Sequence, residues 1–358
     1  MKIYKVIALM SGTSLDGLDI AYCHFYEKES GWRFDIKQTH HVPYQEKRIE
    51  ALRNAISLST LDHIQLHHEY GNWLGRQVKA FVNSYNLEAD LIASHGHTTH
   101  HRPDLGLTMQ LGSGQHLANT SGIQTVCDFR TNDVALGGQG APLVPIGDQL
   151  LFGQYTFCLN LGGISNISFQ HQGKRIAYDI GIANMLLNHI ANKAGMLYDE
   201  GGTHAAAGTI NKSLLEALNQ LPYYKKPFPK STGYEWFLRA LVPLVEKSRD
   251  STNNLLCTSV HHITDQVAAQ VRTHLNPDNN TLLVTGGGAN NDYLIQLLTK
   301  KLEGQATVIV PDKILVDYKE ALVFGLMGVL RMEKRTNVLA SVTGACCDSV
   351  SGVIYLPS

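Results

Sequence analysis

The 358-residue sequence predicts an α/β protein built as two similar domains. Two observations carry this. Residues 1–130 read as three strands, a helical stretch, a strand, a helix and a strand. A strand–glycine turn–strand unit near the start returns about 150 residues later. One recurrence at that distance points to a duplicated fold rather than a repeat array. The order β-β-β-α-β-α-β is that of a ribonuclease-H-like domain. An apolar content of 44% is ample for two cores.

The elements follow from the residue pattern in chain order. Apolar residues 6–10 enter a polar turn and apolar residues 18–23 leave it, with Gly12 and Gly17 where the backbone turns sharply, which is a hairpin signature. Residues 32–41 read as a third strand. Residues 45–57 and 61–85 show helical periodicity; Leu66, Tyr70, Trp73, Leu74, Val78 and Phe81 share one face of the second stretch, and Asp62 is placed to cap it. Residues 91–94 form a short buried strand ending in a polar loop at His95, followed by a strand at 107–111, a helix at 114–121 and a strand at 124–128. The run Gly137-Gly138-Gln139-Gly140-Ala141-Pro142 looks like a linker, so the expected domains are 1–130 and 131–339, with the tail 340–358 returning to the first.

The second cycle opens with a strand at 156–160, a glycine turn at 161–166 and a returning strand at 167–170. A further strand, 175–178, runs into Asp179. Helices are expected at 183–194, 212–218, 233–244 and 255–275. A strand at 281–285 meets Gly286-Gly287-Gly288, with a helix from about 292, a strand at 306–310 and a helix at 319–332.

The charge balance excludes some functions. With 30 basic and 31 acidic residues the formal charge is −1, which argues against nucleic acid or an anionic membrane as partner. The apolar run at the N-terminus is too short for a signal peptide, and the longest near-apolar run, 321–330, is about half a membrane span. Six scattered cysteines without C-x-x-C spacing read as reduced, mostly buried thiols of a cytoplasmic protein; the adjacent Cys346 and Cys347 read as packing, with redox activity the alternative. Four histidines in seven residues, His95, His97, His100 and His101, resemble a metal site, but no Cys, Asp or Glu pattern completes a ligand set and a polar loop accounts for them.

The first turn carries chemistry-bearing groups. Thr13 and Ser14 offer hydroxyls and N–H groups to phosphate oxygens, and Asp16 offers a carboxylate to a cation, although such residues also serve ordinary turns. Asp179 precedes Gly181 and a helix opening near Asn184. There a carboxylate can point into a cleft with the helix N-terminus stabilising nearby negative charge, or it can act as an N-cap. Glu320 opens the expected helix 319–332, where an acidic residue also suits the helix dipole. Arg130 is either an anion-holding group or a surface salt-bridge partner.

Met10-Ser11-Gly12-Thr13-Ser14-Leu15-Asp16-Gly17 closely resembles the first phosphate motif of the anhydro-N-acetylmuramic acid kinase family. Further matches follow in family order: Ser94-His95-Gly96, Asp128-Phe129-Arg130 with Asp133-Val134, Gly137 to Pro145, Asn160 to Asn166, Lys230-Ser231-Thr232-Gly233, and Thr285 to Asn291. The resemblance covers almost the whole chain and implies two ribonuclease-H-like domains of the actin-like ATPase class with ATP in an interdomain cleft. It implies that Gly12, Thr13, Ser14, Leu15, Asp16, Gly17, Leu18, Asp19, Gly162, Gly163, Gly286, Gly287 and Gly288 hold ATP, with Asp16 on Mg²⁺. Asp179 would be the catalytic base, and His97, Arg130, Asn184 and Glu320 would contact the sugar. The implied reaction opens 1,6-anhydro-N-acetylmuramate hydrolytically and phosphorylates O6, in peptidoglycan recycling; a homodimer is the expected assembly. Rival expectations are a kinase for another amino sugar, an ATP-switched binding protein like actin or the 70-kDa heat-shock chaperones, and a metal hydrolase on the histidine run. Two departures stand out. The family's Gln in S-H-G-Q-T is His97, and the Pro-Gly of D-x-G-P-G-N is Ile182-Ala183, where glycine would suit positive φ or close approach.

Overall fold

The computed structural model describes residues 2–12, 14–29 and 31–358. They pack as two compact units: Met1–Phe152 with Tyr318–Ser358, and Gly153–Asp317.

In the first unit, β1 (Ile3–Met10), β2 (Gly17–Lys28) and β3 (Gly31–Pro43) form an antiparallel meander. β4 (Leu91–Ser94) then pairs parallel to β1, β5 (His97–Arg102) and β6 (Leu107–Leu111) form a separate ribbon, and β7 (Thr125–Cys127) pairs parallel to β4. The tail strand Val353–Tyr355 pairs antiparallel to β7 at the sheet edge. The sheet order is thus β3-β2-β1-β4-β7 plus the tail strand. β1 and β4 are central and buried on both faces, which is why they read as continuous apolar runs.

The helix Thr60–Tyr85 lays Tyr70, Leu74, Val78 and Phe81 into the core of this unit with Ile7, Leu9, Ile20 and Ile92. Its cap is Ser59, not Asp62. Ser59 Oγ accepts from the Asp62 N–H at 3.2 Å and donates to the Asp62 carboxylate at 2.6 Å, so Asp62 supports the cap rather than being it. The helix Lys313–Met332 packs close to the sheet. A Cβ at Gly325 would stand 3.2 Å from Ala8 and one at Gly328 2.7 Å from Ala93. Leu322, Val323, Phe324, Leu326 and Met327 beside them are fully buried, each worth about 1.5–3 kcal/mol relative to exposure.

The second unit repeats the topology. β8 (Phe157–Leu161), β9 (Ile164–His171) and β10 (Lys174–Ile182) are antiparallel neighbours, and β11 (Thr281–Thr285) and β12 (Thr307–Ile309) continue the sheet in parallel. Its order, β10-β9-β8-β11-β12, is the one β3-β2-β1-β4-β7 describes in the first unit. Both are ribonuclease-H-like sheets. The helix Thr252–Thr273 supplies Leu256, Val260, Ile263, Val267 and Val271 to the core beneath.

Three expectations are corrected here. The glycine run 137–142 is no linker: the division falls at 152/153 and 317/318 rather than 130/131 and 339/340. Fully buried Asp133 accepts from the Gly140 N–H at 2.7 Å and the Thr343 hydroxyl at 2.6 Å, which holds the run inside the first unit. A Cβ at Gly138 would stand 2.3 Å from that carboxylate, so glycine serves close approach. A buried Lys319–Asp148 ion pair at 2.7 Å holds the following helix Pro145–Leu150 in the same unit. Of the histidine run, His97, His100 and His101 lie in strand β5 rather than a loop, and only His95 precedes it. Cys346 and Cys347 are exposed, while Cys23, Cys127, Cys158 and Cys257 are buried. Among the described residues no helix is long and apolar enough to cross a membrane.

Candidate active site

In the second unit, β10 continues through Asp179 to Ile182, longer than the sequence suggests, so Asp179 stands within the strand and not at its end. It faces Asn166 of β9, and the register shifts between Asp179 and Gly181. Such a bulge re-aims side chains at that point. The backbone on either side is held: the Asp179 N–H donates to the Lys230 carbonyl at 3.2 Å, and the Tyr223 hydroxyl donates to the Asp179 carbonyl at 2.8 Å. The carboxylate accepts one backbone N–H, from Thr232, at 3.0 Å. Desolvation raises its pKa, and the Thr232 N–H opposes that only in part. Thr232 also lines a cavity of about 480 Å³ with Tyr223, Ser231, Gly233, Trp236 and Arg239.

Lys230, Thr232 and Tyr223 were not among the expected site residues. The K-S-T-G motif was legible, but its packing over Asp179 is tertiary and leaves no periodic signal. Among the described residues the buried Lys230 ammonium has no hydrogen-bond partner; it lies 5.1 and 5.7 Å from the Tyr223 and Tyr178 ring centres, and burial lowers its pKa. Behind the bulge, a Cβ at Gly181 would stand 2.4 Å from the Tyr224 ring, whose hydroxyl is 2.8 Å from His262 Nε2. His262 Nδ1 lies 2.6 Å from the Asn219 amide oxygen, and burial holds its imidazole down to about 3.

The glycines of the two turns divide by what surrounds them. A Cβ at Gly286 (φ 81°) would stand 2.3 Å from the Asn160 amide oxygen, and one at Gly288 2.7 Å from Leu161 Cβ; both are glycine so that the turn can lie against β8. At Gly162, Gly163 and Gly287 a Cβ would meet its nearest atoms at 3.4, 3.6 and 3.8 Å, ordinary contacts that a side chain tolerates, and Gly163 and Gly287 are exposed. The carbonyls of Gly162 and Gly163 accept from the N–H groups of Ala183, Asn184 and Met185. The first amides of the helix Asn184–Lys193 are therefore taken and are not free for an anion beside Asp179, contrary to the expectation from sequence. Asn184 donates its side-chain amide to the Leu161 carbonyl at 2.9 Å, fastening the helix to the glycine turn. Ile182 pairs with Ile164 and is buried, and neither departure has positive φ, but Ala183, at φ −128° and ψ −104°, lies outside the usual strand and helix regions, a conformation glycine adopts more readily than alanine.

In the first unit, Thr13 lies outside the described residues. Ser14 Oγ donates to the Asp16 carboxylate at 2.8 Å, and both side chains reach water. Gly17 is packed: a Cβ there would stand 2.5 Å from the His41 ring. Leu15 has φ 59°, the left-handed conformation, and its N–H donates to the Gly12 carbonyl at 3.4 Å. Leu18 is buried in the core, and the Asp19 carboxylate lies 2.7 Å from His41 Nδ1.

The histidines diverge because β5 alternates its faces and His95 precedes it. His95 Nδ1 donates to the Gly96 carbonyl at 2.9 Å while Nε2 accepts from Arg130 at 2.8 Å, and burial holds the ring neutral. His97 Nδ1 lies 3.0 Å from Ser11 Oγ. His100 stands 5.2 Å from the His63 ring, and His101 meets Thr108 at 3.1 Å. Among the described residues no group of three or more His, Cys, Asp and Glu is placed to hold a metal ion.

Arg130 also donates to the Gly140 carbonyl, so it is not a surface salt-bridge partner; burial lowers its pKa to about 10 against the pull of Glu320 and Asp133. Glu320 is not at a helix start, since the helix begins at Lys313, and the macrodipole account of it fails. Its side chain reaches water at one end, yet crowding by protein raises its pKa, opposed by Arg130 and Lys319.

Two ribonuclease-H-like sheets in one chain, the second with glycine turns and a desolvated carboxylate, are the architecture found in the sugar-kinase class of proteins. The sequence model of the anhydro-N-acetylmuramic acid kinase family matches residues 4–357, and the chain belongs to that family. The anhydro-N-acetylmuramic acid kinase of Aliivibrio fischeri is 35% identical over 98% of this chain and 99% of its own. That of Cupriavidus pinatubonensis is 35% identical over 98% of both. Among solved structures, component A of the Acidaminococcus fermentans (R)-2-hydroxyglutaryl-CoA dehydratase gives a TM-score of 0.45 at 11% identity, covering 92% of this chain and 100% of that one.

Gly181→Ala drives a methyl into a pinned tyrosine ring and should cost about 1–3 kcal/mol. Urea unfolding reads this as a lower midpoint at unchanged slope; a midpoint equal to the parent's would show that Tyr224 is free to move.

Proposed function

We propose that this chain is an ATP-dependent kinase that opens 1,6-anhydro-N-acetylmuramate and phosphorylates O6, yielding N-acetylmuramate 6-phosphate in peptidoglycan recycling. The observation that supports it most is Asp179, a half-desolvated carboxylate on a bulge with one N–H partner, in a chain of the kinase family.

A 1,6-anhydro sugar has no free 6-hydroxyl, because O6 is bonded to C1. Asp179 takes a proton from water as that water attacks C1. The C1–O6 bond breaks, O6 bonds to the γ-phosphorus, and the bond from that phosphorus to ADP breaks. The base acts on the face opposite the leaving oxygen, as in inverting glycosidases, and phosphoryl transfer replaces a general acid on O6. A desolvated carboxylate suits this task, since its raised pKa makes it a stronger base once ionised.

The open glycine backbones at Gly162, Gly163 and Gly287, with the turn 12–19, are the proposed phosphate contacts. Gly286 and Gly288 shape that surface by packing. Asn184 acts by holding the glycine turn, while His97, Arg130 and Glu320 are the proposed sugar contacts. Mg²⁺ is part of this reading: the donors of Asp16 and Ser14 are hard oxygens that reach water, which fits an ion that keeps waters and takes one or two carboxylates beside phosphate. It would supply neutralising charge to the triphosphate. A cytoplasmic homodimer belongs to the same reading.

Asp179→Asn keeps the shape and removes the base. Turnover of the anhydro sugar should fall at least about 10²–10⁴-fold with nucleotide binding retained; near-parental turnover rejects the role. The pH dependence has a definite sign. A carboxyl whose folded pKa is raised above its unfolded value favours the protonated fold, so the ionised form costs stability as pH rises through that pKa. At neutral pH the Asn variant should therefore melt no lower than the parent, with any advantage shrinking as pH falls through the raised pKa. The acid limb of parental kcat/KM should lie above the ordinary carboxyl range. Asp16→Ala should raise the Mg²⁺ concentration needed for half-maximal rate several-fold; an unchanged Mg²⁺ titration removes Asp16 from the metal site.

A further inference from the structure

Four buried polar groups of the first unit form a chain that the reaction scheme leaves unused. The Tyr44 hydroxyl lies 2.6 Å from that of Tyr70 and donates to Ser11 Oγ at 2.7 Å, and Ser11 Oγ lies 3.0 Å from His97 Nδ1. Tyr70 is fully buried, and Tyr44, Ser11 and His97 are each under 9% exposed. The four come from the helix Thr60–Tyr85, the segment after β3, the residue following β1, and β5, so only the folded unit assembles them.

The protons in this chain have one arrangement that leaves none stranded. Each hydroxyl carries a single proton, and a buried hydroxyl proton without an acceptor costs about 1–3 kcal/mol. Among the described residues Tyr70 makes one side-chain hydrogen bond, to the Tyr44 hydroxyl; Ser11, the other hydroxyl near it, does not meet hydrogen-bond geometry with Tyr70. If His97 Nδ1 donated to Ser11, the chain would run towards Tyr70, whose own proton would have no acceptor. Run the other way, Tyr70 donates to Tyr44, Tyr44 to Ser11, and Ser11 to His97 Nδ1. Every proton is then placed, and the imidazole proton must sit on Nε2. Desolvation holds the ring neutral, with a pKa of about 4, so one tautomer persists through the physiological range. His95, two residues earlier, is fixed the opposite way, with its proton on Nδ1 towards Gly96 and Nε2 accepting from Arg130.

We infer that Tyr70, Tyr44 and Ser11 are positioning residues that fix neutral His97 as its Nε2–H tautomer, so that it donates a hydrogen bond to an acceptor oxygen of the sugar. Nε2 has no partner among the described residues. The position is where the family resemblance places a glutamine, whose amide carries N–H donors without any relay. A histidine can replace such a donor only if its proton is kept on the outward nitrogen, which is what the relay does. Ser11 directly precedes Gly12, so the same chain joins β5 to the first turn. The sugar contact rests on the proposed function; the tautomer does not.

The test has two arms. In ¹⁵N-histidine-labelled full-length protein, long-range ¹H–¹⁵N spectra assigned with a His97→Gln sample should show His97 protonated on Nε2 at neutral pH. A proton on Nδ1 overturns the relay. For the second arm, Tyr44→Phe with Tyr70→Phe removes both phenol hydroxyls and strands no partner between them. This pair should lower the Nε2–H population and raise KM for the anhydro sugar about three- to tenfold, the worth of one neutral hydrogen bond, with KM for ATP unchanged. In a His97→Gln background the same pair should leave KM for the sugar unaltered. An equal rise in both backgrounds overturns the positioning role. An Nε2–H proton in a protein that does not turn over this sugar leaves the relay standing and rejects the substrate instead.

Discussion

Desolvation of one carboxylate, balanced by one backbone N–H, is the constraint around which the second unit is arranged. Asp179 is costly to keep ionised where it stands, and the Thr232 N–H relieves only part of that cost. The surroundings hold the geometry by other means. Tyr223 and Lys230 bond the backbone of Asp179, Tyr224 packs against Gly181, and His262 fixes Tyr224 from behind. A better-solvated aspartate would be easier to fold around and a weaker base. The arrangement exchanges stability for basicity at one atom, and strain of this kind is expected where chemistry is done.

The glycine turns follow a second constraint, the approach of one backbone to another. Gly286 and Gly288 are glycine because β8 is too close for a Cβ, whereas at Gly162, Gly163 and Gly287 a Cβ would meet only ordinary contacts. A row of glycines that looks uniform in sequence thus separates into residues that pack and residues that remain open. Asn184 ties the two sets together through Leu161, so the turns are held as one surface.

The sequence made the strands legible where burial on both faces produced continuous apolar runs, as in β1, β4 and β11. It failed where polar residues formed a strand. β5 reads His-Thr-Thr-His-His-Arg, and only its pairing with β6 makes it a strand. The domain division was misread because the glycines of residues 137–140 look like a hinge, while the buried Asp133 carboxylate that immobilises them is recognisable only once Thr343, 210 residues away, is seen beside it. The same holds for the site. The sequence presented Asp179, His97, Arg130 and Glu320 as candidates, but not the Thr232 N–H, the tyrosine pair behind Ser11, or the Gly140 carbonyl that occupies Arg130. Each of those depends on contacts between distant segments.

The central claim is that water attacks C1 of the anhydro sugar while O6 receives the phosphoryl group. Turnover in ¹⁸O-water followed by mass spectrometry of the product measures this directly. The account predicts one ¹⁸O on C1 and none on the phosphoryl group of the 6-phosphate. A phosphorylated product without ¹⁸O at C1, or ¹⁸O appearing in phosphate alone, would contradict it.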